Sequence, residues 1–218
     1  AGIPVVLLYN APRRHDLDSF LIDNRGGFTQ VTRHLLRLGH RRIGYIRGPA
    51  AMVSLEREAG WREAMAEAGI AVGPDDMAAF DFDQSGGYAG AMRLLARKPR
   101  PTALVCSSDL IALGALDAAA DLGLSVPGDV AVTGFDNSYL AAARRVRLTS
   151  LAYDYETLTG QAVSRLLERL GGQRDDAPMQ VTVPCAIVIR DSCGARTTHL
   201  HSSTATAGRP SSTTSAEA

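Results

Sequence analysis

Neither sign of charge is in excess in this sequence: 23 basic residues balance 23 acidic ones across 218 positions. The basic face that sequence-independent phosphate binding requires is missing, so this stretch alone is not expected to hold DNA. Cysteine is scarce, and Cys106, Cys185 and Cys193 match no metal-ligand spacing. Their odd number argues against a disulfide framework and for a reducing cytoplasm. No run approaches the roughly 20 apolar residues that a membrane helix needs, and no charged segment leads into an apolar one near the beginning, so neither a span nor a signal peptide is expected. Enzyme signatures are lacking too. No glycine-rich phosphate loop follows a strand, no His-Glu-x-x-His or Cys-x-x-Cys occurs, and His15, His34 and His40 adjoin no nucleophile motif. No catalytic residue, cofactor or metal is expected. His199 and His201 lie in a tail without further ligands and are read as solvated residues.

What is present is a regular alternation of strand and helix in a chain that is 45% hydrophobic, enough for a substantial core. Its clearest unit is 101–136, PTALVCSSDLIALGALDAAADLGLSVPGDVAVTGFD, a strand, a helix and a second strand. Strands joined by a helix lie parallel, so their C-terminal ends open on one side of a sheet, where open α/β proteins bind ligands. Further strands are expected at Ile3–Tyr9, Ile43–Ile46 and Met77–Phe82. Helices are expected after Asp23, with Phe28, Val31, Leu35 and Leu38 on one face, from an N-cap at Ser54, from Ser85 to about Arg97, and from Asp154, with Leu158, Ala162, Leu166 and Leu170 inward. In Val181–Ile189, Pro184 predicts an edge strand or a bulge.

The ends of the strands near Ile43, Met77, Thr102 and Val130 bring Arg57, Phe82, Ser108 and Asp136 to one rim. Their chemistry suits a polyol or sugar. Asp136 accepts hydroxyl hydrogen bonds, Arg57 donates several in a fixed fork, Phe82 offers a face to C–H groups, and Ser108 does either. Each has a plainer reading. Asp136 also suits an Asx turn beside Gly134 and Asn137, Arg57 a solvated surface charge, and Phe80 competes with Phe82 for the rim. Asp109 is read as the helix N-cap.

Several linked segments carry a family resemblance: GIPVVLLYN at 2–10, IDNRGG at 22–27, LGHRRIGYIRGP at 38–49, EREAGWREAMAEAGI at 56–70, SGGY at 85–88, the 100–116 and 123–137 stretches, and LTSL at 148–151. Over roughly 2–193 the chain resembles the effector-binding domain of LacI/GalR (lactose-repressor-type) bacterial transcription regulators. The resemblance implies an α/β fold of the type I periplasmic-binding-protein kind: two doubly wound parallel-sheet lobes, the N-terminal one incomplete here. Implied divisions are 1–40, remnant of the N-terminal lobe; 41–148, the C-terminal lobe; 149–177, a crossover strand and a helix returning to the first lobe; 178–193, a crossover and terminal strand of the second; and 194–218, a disordered tail. Hinge strands are expected near Arg41–Arg42, Thr149–Asp154 and Pro178–Val181.

The resemblance also implies that Arg57, Phe82 and Asp136 line an effector pocket. Relatives often carry Asn-Asp where this chain has Ser108-Asp109, and Tyr153 brings a ring to the inter-lobe crossing, so the effector's identity stays open. The helix after Asp109 is apolar on nearly every side, which calls for a second cover besides the sheet. That cover is either another helix of the domain or, as the resemblance implies, a second copy in a homodimer through Leu110, Leu113 and Asp117. The expected function is sensing of a ligand, a sugar or sugar derivative, and dimerisation in a DNA-binding regulator whose operator contacts belong to a helix-turn-helix headpiece outside this chain. The alternative is a sugar-binding protein of a transport system on the same lobes.

Overall fold

The computed structural model describes residues 3–9, 16–172 and 176–195. The expected tail falls almost entirely outside these residues, as do His15, His199 and His201. In chain order the elements are β1 (Val6–Leu8), β2 (Asp18–Ile22), α1 (Asn24–Arg37), β3 (Ile43–Arg47), α2 (Met52–Glu67), β4 (Met77–Ala79), α3 (Gln84–Leu95), β5 (Ala103–Cys106), α4 (Asp109–Asp121), β6 (Ala131–Phe135), β7 (Thr149–Tyr153), α5 (Tyr155–Leu170), β8 (Gln180–Val183) and β9 (Cys185–Val188). They form two sheets, β1-β2-β8, all parallel, and β4-β3-β5-β6-β7-β9, parallel except for β9.

Side-chain alternation builds the larger lobe. Ile43 and Tyr45 point to one face of β3 and Ile46 to the other, while Ala103 and Val105 oppose Leu104 and Cys106 on β5. One face packs on α1 and α2 through Phe28, Val31, Leu35, Trp61 and Met65. The other packs on α3 and α4 through Leu94, Ile111, Ala115 and Ala118. Strands buried on both faces read as continuous apolar runs, which is why ALVC and AVTGF stood out in the sequence.

The lobe boundaries differ from those expected. Helix α1 packs on α2, β5 and β9, so it belongs with the larger sheet. The chain crosses between sheets at Ile22–Asn24, not near Arg41–Arg42, returns at Tyr153–Tyr155 and crosses again at Val183–Cys185. Strand β8, expected with the second lobe, pairs with β2, whereas β9 pairs with β7. Pro184 thus makes no bulge within one strand, and the edge position expected holds for the strands on both sides of it, β8 and β9 each lying at the edge of its sheet. It separates two strands of different sheets, at a place where its missing N–H costs no ladder bond. Strand β2 was not foreseen.

Local capping also corrects the sequence reading. Helix α2 begins at Met52 without a side-chain cap, and Ser54 lies buried within it. Ser108, rather than Asp109, caps α4, its hydroxyl accepting from the Ile111 amide at 3.2 Å. Asp154 caps α5 as expected, accepting from the Thr157 amide at 2.9 Å. The inward face of α5 is Leu158, Ala162 and Arg165, while Leu170 is exposed. Arg165 turns inward because it meets Asp18 on β2 at 3.0 Å.

Candidate functional site

Arg57 projects from α2 and is buried, 7% exposed. Its Nε donates to Asn24 Oδ1 at 2.8 Å and its Nη1 to the Ser107 carbonyl at 2.5 Å. The guanidinium carbon stands 3.8 Å from the centre of the Phe135 ring, a cation–π geometry. Burial pushes its pKa down, and the Asp136 carboxylate is first among the opposing influences. This is no freely solvated surface charge: Nε is tied to the start of α1 and Nη1 to the end of β5.

Asp136 follows β6 with φ +103°, and Asn137 with φ +47°, in a region that non-glycine residues rarely occupy. The turn is held from below. Asp109 accepts from the Ser138 amide and the Ser150 hydroxyl, both at 2.7 Å, and Ser150 in turn accepts from the Asn137 amide at 3.0 Å. Gly134 leaves the space for this, since a β-carbon there would overlap Oδ1 of Asp109. The Asp136 carboxylate opens to the cleft without a hydrogen-bond partner among the described residues. Surrounding protein nevertheless desolvates it and pushes its pKa to about 6, against the pull of Arg57 and with a push from Asp109. No ion pair joins Arg57 to Asp136 among the described residues, so the two charges face one cleft without touching.

Phe82 is 39% exposed and lies over Gly48 at the end of β3, where a β-carbon would enter its ring. Phe80 packs into the core against α3, which decides between the two in favour of Phe82 at the rim. Ser108 sits beside Arg57's carbonyl partner, but its oxygen lone pair serves the α4 cap. Tyr153, at the second crossing, stacks on Phe135 with centroids 5.8 Å apart and meets Tyr9 edge-on at 6.1 Å. Burial first, then the hydrogen bond with Tyr9, raises the Tyr153 pKa. The structure thus brings Arg57, Phe82, Ser108, Asp136 and Tyr153 to the C-terminal rim of the larger sheet.

Sequence reasoning missed three contributors. Tyr9 supplies the smaller lobe's ring from a left-handed position, φ +67°. Asn24 orients Arg57, and Asp109 supports the Asp136 turn. The Gly-Phe-Asp-Asn run could have hinted at the last, because glycine before a polar turn marks a close approach.

The stripe Leu110, Leu113 and Asp117 runs along α4 from its first turn. Helix α3 covers one flank of α4, through close crossings at Gly87 and Gly114, so the second cover is internal in part. Leu110 stays 44% exposed, Leu113 is half-buried, and Asp117 accepts from Gln84 at 2.6 Å. A cavity of about 400 Å³ flanks the stripe between Leu113, Asp117, Val126 and Arg147. A larger hollow, about 600 Å³, lies on the smaller lobe between Phe20, Arg165, Met179 and Val181. Neither includes the Arg57–Asp136 rim, whose case rests on placed polar groups and not on volume.

A family model described as a periplasmic binding protein-like domain matches residues 32–193. The chain is 38% identical over 184 residues to the HTH-type transcriptional repressor PurR of Proteus mirabilis strain HI4320, a match covering 81% of this chain and 52% of that protein. It spans about half the length of the curated relatives it matches. Among solved structures, a transcriptional regulator CelR–cellobiose complex is similar with TM-score 0.80 and 29% identity, over 87% of this chain and 65% of the other. A LacI regulator from Bacillus cereus subsp. cytotoxis is similar with TM-score 0.82 and 27% identity, over 87% and 68%. Among the described residues no helix is long and apolar enough to cross a membrane.

Proposed function

Because this chain belongs to the LacI family of transcriptional regulators, in their periplasmic-binding-protein-like effector domain, we propose that it is the ligand-sensing and dimerising part of a cytoplasmic DNA-binding regulator. The effector is a small molecule of sugar or polyol type. The observation that carries this reading is the pair of opposite charges held apart at one rim. Arg57 is tied by Asn24 and Ser107, and Asp136 is presented by a strained turn with its carboxylate unpartnered. Backbone strain concentrated on a cleft residue fits a site in which geometry serves binding. Tyr153 and Phe82 provide aromatic surface for C–H groups. The relatives being repressors, this reading is preferred to that of a transport receptor.

An effector spanning the cleft between Tyr9 and the larger lobe biases the relative orientation of the lobes. It changes DNA affinity, through a headpiece outside this chain, only by the difference in its affinity for the two orientations. Asp136→Asn keeps the shape and removes the charge, and is expected to weaken a cognate effector by roughly 1–3 kcal/mol, the scale of a hydrogen bond to a charged group. Calorimetry on a sugar panel tests this, and unchanged affinity for a confirmed ligand would remove Asp136 from the site.

The stripe of Leu110 and Asp117, both exposed, and half-buried Leu113 is the proposed dimer contact. Leu113→Arg is expected to leave the chain folded and to shift it from dimer to monomer in analytical ultracentrifugation, because an interfacial charge without a partner is strongly unfavourable. A variant that stays dimeric would exclude this stripe.

A further inference from the structure

Resting on the reading of α4 as the dimer contact, we propose that this surface selects a second copy of the same chain by charge. Arg144 and Arg145 of each copy meet Asp117 and Asp121 of the other, across a two-fold axis that runs along α4. The acids carry the first part of the argument. Asp121 ends α4 and Asp117 stands one turn before it, toward the end where the helix dipole disfavours negative charge, and the last turn holds no basic residue to offset them. Both residues are exposed. Among the described residues they receive neutral donors: Gln84 of α3 gives Asp117 a hydrogen bond at 2.6 Å, and the Tyr88 hydroxyl gives Asp121 one at 3.0 Å.

The bases stand on the flank of α4 that α3 leaves free. The loop over 138–147 is pinned at its start, where Asp109 accepts from the Ser138 amide at 2.7 Å, and at its end, where Arg147 pairs with Asp191. Arg147 is thereby neutralised. Arg144 and Arg145, both exposed, form no ion pair among the described residues. They border the cavity of about 400 Å³ that Asp117 also borders, yet do not reach it. Tyr139 in the same loop is 84% exposed, an aromatic side chain of the kind that contact surfaces collect.

A contact between two identical faces has its two-fold axis in the plane of contact, either across α4 or along it. An axis across α4 lays the acidic flank on itself and the basic flank on itself, so unlike charges do not meet. An axis along α4 exchanges the flanks at one level of the helix, setting each arginine pair against the other copy's aspartates with Leu110 and Leu113 between. Charge therefore chooses the axis, and it refuses a related subunit that lacks either pair.

Analytical ultracentrifugation of the 218-residue chain is the test. Raising sodium chloride from about 0.1 to 1 M shortens the screening length from about 10 to 3 Å, and is expected to weaken the dimer by on the order of tenfold or more. Charge reversal at the same exposed positions gives the sharper result. One chain carries Asp117→Lys with Asp121→Lys, and another carries Arg144→Glu with Arg145→Glu. Each is expected to keep the parent's circular dichroism and to sediment alone as a monomer, because like charges then face one another. Mixed, the two are expected to form a heterodimer, since every reversed pair meets its opposite; that recovery excludes misfolding as the cause of the loss. Variants that dimerise alone as tightly as the parent, a mixture that stays monomeric, or a parent dimer indifferent to salt each overturns the proposal while the dimer reading stands. A parent chain that is monomeric throughout defeats the dimer reading itself, and the proposal with it.

Discussion

Replacing Asp18 with alanine is expected to lower the stability of the fold by about 3 kcal/mol, near the lower end for breaking a buried ion pair. Asp18 opens β2 at 3% exposure, but its enclosure is made of charged and polar partners. Arg165 Nε reaches it at 3.0 Å, Arg169 Nε at 2.9 Å and the Met179 amide at 2.9 Å. Without the carboxylate, Arg165, itself 3% exposed, keeps Asp176 and Glu168 as acidic neighbours among the described residues, and these are more exposed. That residual pairing is why the lower end is expected. Burial raises the Asp18 pKa, but the bonds from Arg169, Met179 and Arg165 outweigh it and hold the pKa below the ordinary aspartate value. A carboxylate depressed in the folded state contributes stability above its unfolded pKa and loses it as pH falls through the folded value. Urea titrations of the parent and Asp18→Ala are therefore expected to differ at neutral pH and converge in acid. A pH-independent difference would show that Asp18 acts by packing alone.

Gly114→Ala is expected to cost a similar amount, about 3 kcal/mol, for a different reason. At the α3–α4 crossing a β-carbon on Gly114 would enter the Gln84 carbonyl and the Tyr88 amide, backbone atoms that cannot turn aside. Overpacking of this kind forces two helices apart and costs roughly 1–3 kcal/mol, occasionally more. For a chain of this size that corresponds to a fall in Tm of about 6–12 °C. Gly160→Ala on α5 is the matched control: nothing lies within 4 Å of its β-carbon, and a glycine inside a helix favours the unfolded chain. It is expected to be neutral or stabilising by up to ~1 kcal/mol. Equal losses in both variants would exclude the crossing as the cause.

The strands of the larger sheet and the rim they build were legible because parallel strands buried on both faces are written as apolar runs with polar ends. Ala103–Cys106 followed by Ser107-Ser108, and Ala131–Phe135 followed by Asp136, show this directly. The lobe boundaries were not legible. Phe28, Val31 and Leu35 announce a buried helix face without saying which sheet it covers, and Pro184 announces a break without saying that the chain changes sheets there. Strand β2 escaped because DSFLI carries its charge inward, toward Arg165, against the usual alternation. The site's supports were hidden for a related reason. Asn24, Asp109 and Tyr9 act through partners 33, 29 and 144 positions away, and spacing in one sequence carries no trace of such pairings.

The three crossings between the sheets are short, and each is stiffened at one end. Asp23 locks the first to the start of α1, Asp154 locks the second to the start of α5, and the ring of Pro184 fixes φ in the third while narrowing the choices of Val183 before it. Two bodies joined by three such links have few soft torsions between them. Sliding of one sheet past the other would strain all three at once, whereas a swing about the line of the links needs only small adjustments in each. The links thus leave a swing about their own line as the relative motion that strains them least, like a door on three pins.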